Sequence, residues 1–260
     1  MVDEFLAGAL EAVGLLFKGE QGGVADEDGG VSQVEHGVEV GGCGQKGDGR
    51  VAPLVEEDAG VGQGGAAGDV GGYGAEGGKR AAGAAHQEQG AHAALGTFAE
   101  AAAFGDLVVL AVGGKVAVEA LRLAGAENLA GKPVIDVTNP IGDGPPVNGV
   151  LPFFTDFKES LMEKLQHEFP DAHFVKAFNS VGAPAMVNPQ FGGVQPTMFI
   201  CGNNEEARKA VTAILDQFGW ETADMGMAEA ARAIEPLCIL WCIPGLARNQ
   251  WTHSFKLLTN

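Results

Sequence analysis

Three short runs in this 260-residue chain carry residue types suited to holding a ligand: Val112-Gly113-Gly114, Thr138-Asn139-Pro140 and Phe178-Asn179. Bare glycine backbone lets a bound molecule approach the main chain closely, while a threonine hydroxyl and an asparagine amide can each donate and accept. No acid, base or nucleophile stands among them, so the chemistry they offer is binding and alignment. Glycine pairs and Asn-Pro are also ordinary loop punctuation, and any one of these runs taken alone reads as a loop. Their recurrence at the ends of three successive apolar runs is what points to a site.

The elements that must position them follow from periodicity. Residues 106–112 form a continuous apolar run of strand length, the pattern of a strand buried on both faces. Residues 116–124 then carry apolar side chains at helix spacing. A second buried strand over 132–137 closes at Thr138, and a Gly/Pro loop leads to an expected helix over 155–169 with Phe157, Leu161, Leu165 and Phe169 in register. Residues 173–177 and 197–201 read as further strands. Asn203 or Asn204 can cap the next helix, with Glu205 and Glu206 favoured by its dipole, and Gly219 ends it. Residues 220–225 are the last expected strand, followed by a helical region from Ala228 that Pro236 and Pro244 interrupt. Strand alternating with helix means an α/β fold, a Rossmann-like, doubly wound parallel sheet, and ligands in such sheets bind beyond the carboxyl ends of the strands.

The order of motifs resembles a known family. Gly96-Thr97-Phe98-Ala99-Glu100, the strand over 106–112, Val134-Ile-Asp-Val-Thr-Asn-Pro140, Val175-Lys-Ala-Phe-Asn179, Phe199-Ile-Cys-Gly-Asn203 and Ala230-Ala-Arg-Ala-Ile-Glu-Pro-Leu237 are similar to the coenzyme F-420 (deazaflavin)-dependent NADP reductases. The resemblance implies a Rossmann domain over 96–260 holding NADP(H), with hydride passing to or from a deazaflavin or flavin. It implies that Ala111, Val112 and Gly113 lie along the cofactor, that Thr138, Asn139 and Pro140 line its nicotinamide side, and that Phe178 and Asn179 face the acceptor. No catalytic acid, base or metal is implied, because hydride transfer is cofactor chemistry. The implied partner is a small-molecule redox acceptor, and a homodimer is left open as the assembly. The other reading is a non-enzymatic, truncated Rossmann-like interaction module.

Residues 1–95 depart from that pattern. They hold 25 of the 41 glycines and no Ile, Asn, Thr or Trp. A helix over 3–17, with Leu6, Leu10, Val13 and Phe17 on one stripe, is the only periodic element. The remainder is expected to be irregular, because it has too few large apolar residues to offset chain entropy. Gly42, Gly44, Gly47 and Gly60, Gly62, Gly65 match the dinucleotide fingerprint in spacing but lack a strand before and a helix after. The first βαβ unit is thus not recognisable, which marks the segment as foreign or out of frame and predicts weak NADPH binding. Its five Lys and Arg against sixteen acids repel phosphate.

Composition sets further bounds. A net charge of −18 argues against nucleic acid and anionic membranes as partners. The four cysteines form no disulfide framework, and Cys238 and Cys242 read as small core residues on one helix face. His86 and His92 fit no standard metal spacing. The opening Met-Val-Asp-Glu lacks the basic region of a secretory leader, and the apolar runs fall short of a membrane span, so the cytoplasm is the expected compartment.

Overall fold

The computed structural model describes residues 51–54, 80–81 and 96–259. The expected helix over 3–17, the two glycine fingerprints, and His86 and His92 lie outside the described residues. Strands β1 (Val51–Leu54), β4 (Leu107–Leu110), β5 (Pro133–Asp136) and β6 (His173–Lys176) form one parallel sheet in the order β1-β4-β5-β6. Short strands β2 (Arg80–Ala81) and β3 (Gly96–Thr97) pair antiparallel. β1 and β2 fall within residues whose composition offers no strand, so the expectation of a largely irregular segment is corrected at those two places. β7 (Thr197–Ile200) and β8 (Glu221–Asp224) pair parallel with each other, and an antiparallel bridge between Lys176 and Cys201 attaches β7 to β6.

The sheet is covered on both faces because its strands alternate into two cores. Val108, Leu110, Val134 and Phe174 enter one cluster, packed by helices α1 (Phe98–Phe104), α2 (Ala117–Ala124), α3 (Ala126–Leu129) and α4 (Leu161–Glu168). Leu107, Val109, Ile135 and Val175 enter the other, with α5 (Glu205–Gln217) supplying Ala207, Val211 and Leu215. Two-sided burial of near-continuous apolar strands is what the α/β reading requires.

Helix starts follow local chemistry. Thr97 caps α1 and Ser160 caps α4, each in a reciprocal capping box with a glutamate three residues on, Glu100 and Glu163. Asn204, not Asn203, caps α5 by accepting the Ala207 N–H at 2.8 Å. The helix expected over 155–169 begins only at Leu161. Ser160 sets its start, and Phe157 stays 77% exposed in the preceding loop. The C-terminal region also differs from expectation. Pro236 occupies the first turn of α7 (Pro236–Arg248), where its missing N–H costs nothing, and Pro244 is accommodated inside it. With the turn at Ala228–Ala230 and α6 (Ala231–Ile234), residues 228–248 make a helical stretch long and apolar enough, by length and composition, to cross a membrane. The expectation of no such run is corrected. Its inner face nevertheless packs in the protein, with Glu235, Cys238 and Trp241 buried.

The α4 cap carries a pH dependence. Burial alone would raise the Glu163 carboxyl, but the Arg232 guanidinium and the Ser160 N–H and hydroxyl hold it down, from 4.5 to about 2. A carboxyl depressed in the folded state contributes stability that is complete above pH 4.5 and fades as the pH falls toward about 2. Urea midpoints measured between those limits should drop with acidification in the native chain, and Glu163→Gln should flatten that drop.

Candidate functional site

The strand ends meet at a buried charged triad. Asp136 and Lys176 are direct cross-strand neighbours at the last positions of β5 and β6. The Lys176 ammonium donates to the Thr138 carbonyl at 2.8 Å and forms ion pairs with Asp136 Oδ2 at 2.7 Å and Glu235 Oε1 at 3.2 Å. Asp136 Oδ1 accepts from the Thr138 N–H (2.9 Å) and hydroxyl (2.7 Å). Glu235, at the junction of α6 and α7, accepts the Leu161 and Met162 N–H groups, each at 3.0 Å, at the start of α4. Lys176 and Asp136 are fully buried and Glu235 nearly so. Burial would push the Lys176 amine down, but Asp136 and then Glu235 outweigh it, and its pKa is raised.

Beside the triad lies a pair of amides. Asn139 donates to the Asn179 carbonyl at 2.9 Å. Asn179 donates to Asn139 Oδ1 at 3.2 Å and to the Ile234 carbonyl at 3.0 Å. Asn179 Oδ1 is buried and has no hydrogen-bond partner. Across the crevice, the loop after β4 presses on the loop after β5. A Cβ on Gly114 would stand 2.1 Å from the Asn139 carbonyl oxygen, so only glycine fits this approach. Gly113, by contrast, faces open space apart from Val116 at 4.0 Å. An exposed ion pair, Lys115 with Asp143, also joins the two loops.

The structure brings Gly113, Thr138, Asn139, Pro140 and Asn179 to one edge of the sheet, with Ala111 and Val112 leading into it. Their exposures differ. Ala111, Val112, Thr138 and Pro140 are buried, while Gly113 and Asn139 are half-buried. The Thr138 hydroxyl is turned inward to Asp136, so this residue holds the loop. Phe178, in the left-handed region at φ +59°, packs its ring in the second core, 6.1 Å from Phe218, and its N–H contacts Met198 Sδ at 3.2 Å. A separate shallow depression lined by Gln166, His173, Asn203 and Asn204 opens at the opposite, amino end of β6.

Asp136, Lys176 and Glu235 received no role from sequence reasoning, although all three sit inside the quoted motifs. The available signal was a charge embedded in an apolar run (Val-Ile-Asp-Val, Phe-Val-Lys-Ala, Ala-Ile-Glu-Pro), which must find a partner when buried. Removing the ammonium would leave two buried carboxylates unpaired. Lys176→Met should cost about 3–5 kcal/mol of stability, and adding Glu235→Gln should recover part of it. Chemical denaturation of the two variants measures both effects.

Comparison with known proteins gives three findings. A family profile described as "NADP oxidoreductase coenzyme F420-dependent" matches residues 59–140, beginning upstream of the composition break. A crystal structure from Arthrobacter sp. FB24, assigned as an F420-dependent NADP-reductase, is 34% identical with a TM-score of 0.59, covering 63% of this chain and 73% of that one. Among curated proteins, metalloreductase STEAP3 of Rattus norvegicus is 34% identical over 126 residues, and metalloreductase STEAP2 of Homo sapiens 34% over 110 residues. These matches cover 46% and 42% of this chain, and the chain spans only 24% and 20% of those relatives.

Proposed function

The chain belongs to the coenzyme F420-dependent NADP oxidoreductase family, and from that premise we propose that it passes hydride between NADP(H) and a deazaflavin- or flavin-type acceptor. The observation that carries this reading is the amide pair at the ends of β5 and β6, with one amide oxygen, Asn179 Oδ1, unpartnered. A carboxamide such as that of nicotinamide offers the N–H this oxygen lacks, once the Asn139 side chain turns aside. The open backbone at Gly113 suits close approach by a ribose or ring, so the residues present fit the nicotinamide end of the cofactor. The phosphate-binding end falls outside the described residues.

NADPH, when bound, supplies two electrons and a proton as hydride, and solvent supplies any further proton the reduced acceptor takes up. The protein's part is alignment. Gly113 leaves room, Asn139 and Asn179 orient the carboxamide, and the triad fixes the loop that carries Asn139. A correctly held pair of reactants accounts for a large share of rate enhancement in such transfers.

Fluorescence titration of the whole chain with NADPH and NADH tests this. Against the weak binding expected from the composition of residues 1–95, the family profile begins at residue 59, and on this reading NADPH should bind, more tightly than NADH. Asn139→Leu removes a hydrogen bond of about 1 kcal/mol, so it should weaken binding about fivefold, with the denaturation midpoint followed in parallel to separate binding from folding. Binding of neither nucleotide would overturn the proposal in favour of a non-enzymatic interaction module. Weakened binding matched by a fall in the midpoint would assign Asn139 to loop structure alone.

A further inference from the structure

The two loops that wall the strand-end crevice have fixed backbones and one exposed charge each. After β4 the chain makes the short helical turn Gly114–Val116, and Gly114 packs on the Asn139 carbonyl so closely that the position of Lys115 is set. After β5 the Asn139 carbonyl accepts the Ile141 N–H at 2.9 Å, which turns the chain at Pro140. The Gly142 N–H then donates to the Pro152 carbonyl at 2.7 Å, at the base of a hairpin that Ile141 and Phe153 bridge. Asp143 follows directly, and its carboxylate pairs with the Lys115 ammonium.

That pair differs from the other ion pairs around the site in how easily it is exchanged. The Lys115 side chain is 44% exposed and that of Asp143 95%, and an ion pair in water contributes little to stability. The two cations nearest the amide pair in the fold are committed. Lys176 is buried between Asp136 and Glu235, and Arg232, two residues before Ile234, gives its Nε and Nη2 to Glu163. Lys115 is therefore a cation held in place at the crevice by its backbone, two residues past the open Gly113, whose partner can return to water without leaving a buried charge. The surrounding field makes such a cation necessary for an anionic ligand, because a chain with 34 acids against 16 Lys and Arg repels phosphate over most of its surface.

We propose that Lys115 is a phosphate-binding residue of this crevice, which leaves Asp143 for a phosphate ester carried one sugar or polyol chain away from a redox ring. The proposal rests on the hydride-transfer reading for the place of that ring. With a carboxamide at Asn139 and Asn179 and a ribose against the open backbone of Gly113, the next group along a nucleotide is its phosphate, and the next charged side chain along the loop is Lys115. A lysine ammonium acts on phosphate as a point charge and does not demand one bonding geometry. Two kinds of molecule in the proposed reaction carry such an ester, a nicotinamide nucleotide and a flavin nucleotide, and the chemistry that Lys115 recognises is common to both.

Fluorescence titration of the full chain with two matched pairs of ligands tests the inference. Reduced nicotinamide mononucleotide against reduced nicotinamide riboside, and flavin mononucleotide against riboflavin, differ within each pair only in the phosphate. The phosphorylated member of at least one pair should bind about tenfold more tightly than its partner. Lys115→Met should abolish that preference and leave the phosphate-free member unaffected, Lys115→Arg should keep it, and Asp143→Asn should strengthen it. The melting temperature should hold in all three variants, because the pair they alter is exposed. A preference confined to the nicotinamide pair assigns the phosphate to the cofactor, and one confined to the flavin pair assigns it to the acceptor. Equal affinities within both pairs overturn the proposal, as does a Lys115→Met chain that keeps the preference or a native chain that binds none of the four. Turnover of NADPH with riboflavin, which has no phosphate, reports separately on the reading of function. Its absence strikes that reading, while a preference that depends on Lys115 leaves the phosphate site standing.

Discussion

The buried Asp136–Lys176–Glu235 triad is the constraint on which the rest of the molecule depends. It joins the last residues of β5 and β6 to the α6–α7 junction and to the start of α4. Isolated charges at that depth would be ruinous, but here both acids face the ammonium, and Asp136 Oδ2 is held by that ion pair alone. The excess of one negative charge sits against the N–H groups of α4, where the helix dipole favours it. The same ammonium that pairs the acids also holds the Thr138 carbonyl, so the strand-end loop inherits its position from the core.

From that anchor the geometry propagates outward in short steps. Asp136 fixes both the Thr138 hydroxyl and N–H, which sets the direction in which Asn139 leaves β5. Asn139 then reaches Asn179 at the end of β6, and Asn179 reaches back to Ile234, one residue before Glu235. The loop is thus closed into a ring of contacts that begins and ends at the triad. Gly114 fits against this ring only because it has no side chain. The hairpin that follows carries the ring's rigidity out to α7, whose inner face is fixed by Trp241 and its stacking on His253 at 5.2 Å.

Much of this was legible in the sequence, for identifiable reasons. Four apolar runs of strand length, each followed by a helix-period segment or a turn, fixed the two-sided sheet and the edge on which a site had to lie. The strand-end motifs came together as expected, because in a parallel sheet all carboxyl ends share one edge. What escaped was set by contacts distant in sequence. Phe157 continues a helical stripe on paper, but the Ser160 and Glu163 capping box starts the helix four residues later, at Leu161. Thr138 reads as a ligand contact, and its hydroxyl donates to Asp136, a partner that the spacing did not suggest. Phe178 reads as a residue facing the acceptor, and the structure shows it in the left-handed region with its ring 6.1 Å from Phe218. Pro236 and Pro244 read as breaks, although a proline in the first turn of a helix is a start signal.

The described titratable groups limit what chemistry the strand-end edge can perform by itself. Lys176, Asp136 and Glu235 are fully committed to one another, and Glu163 is locked to Arg232 and Ser160. A proton relay would need one of these to exchange partners during turnover, at the cost of leaving a charge buried alone. The thiols are no better placed. Burial pushes Cys201 up to about 12, and the hydrogen bond that the Cys238 thiol donates to Cys242, followed by burial, raises Cys238 well above the usual range while lowering Cys242, which lies in the third apolar cluster away from the strand ends. Among the described residues the strand-end edge therefore offers amides, backbone and a fixed field, and no group poised to gain or lose a proton or an electron. That inventory suits the proposed reading, in which the protein's part in hydride transfer is alignment.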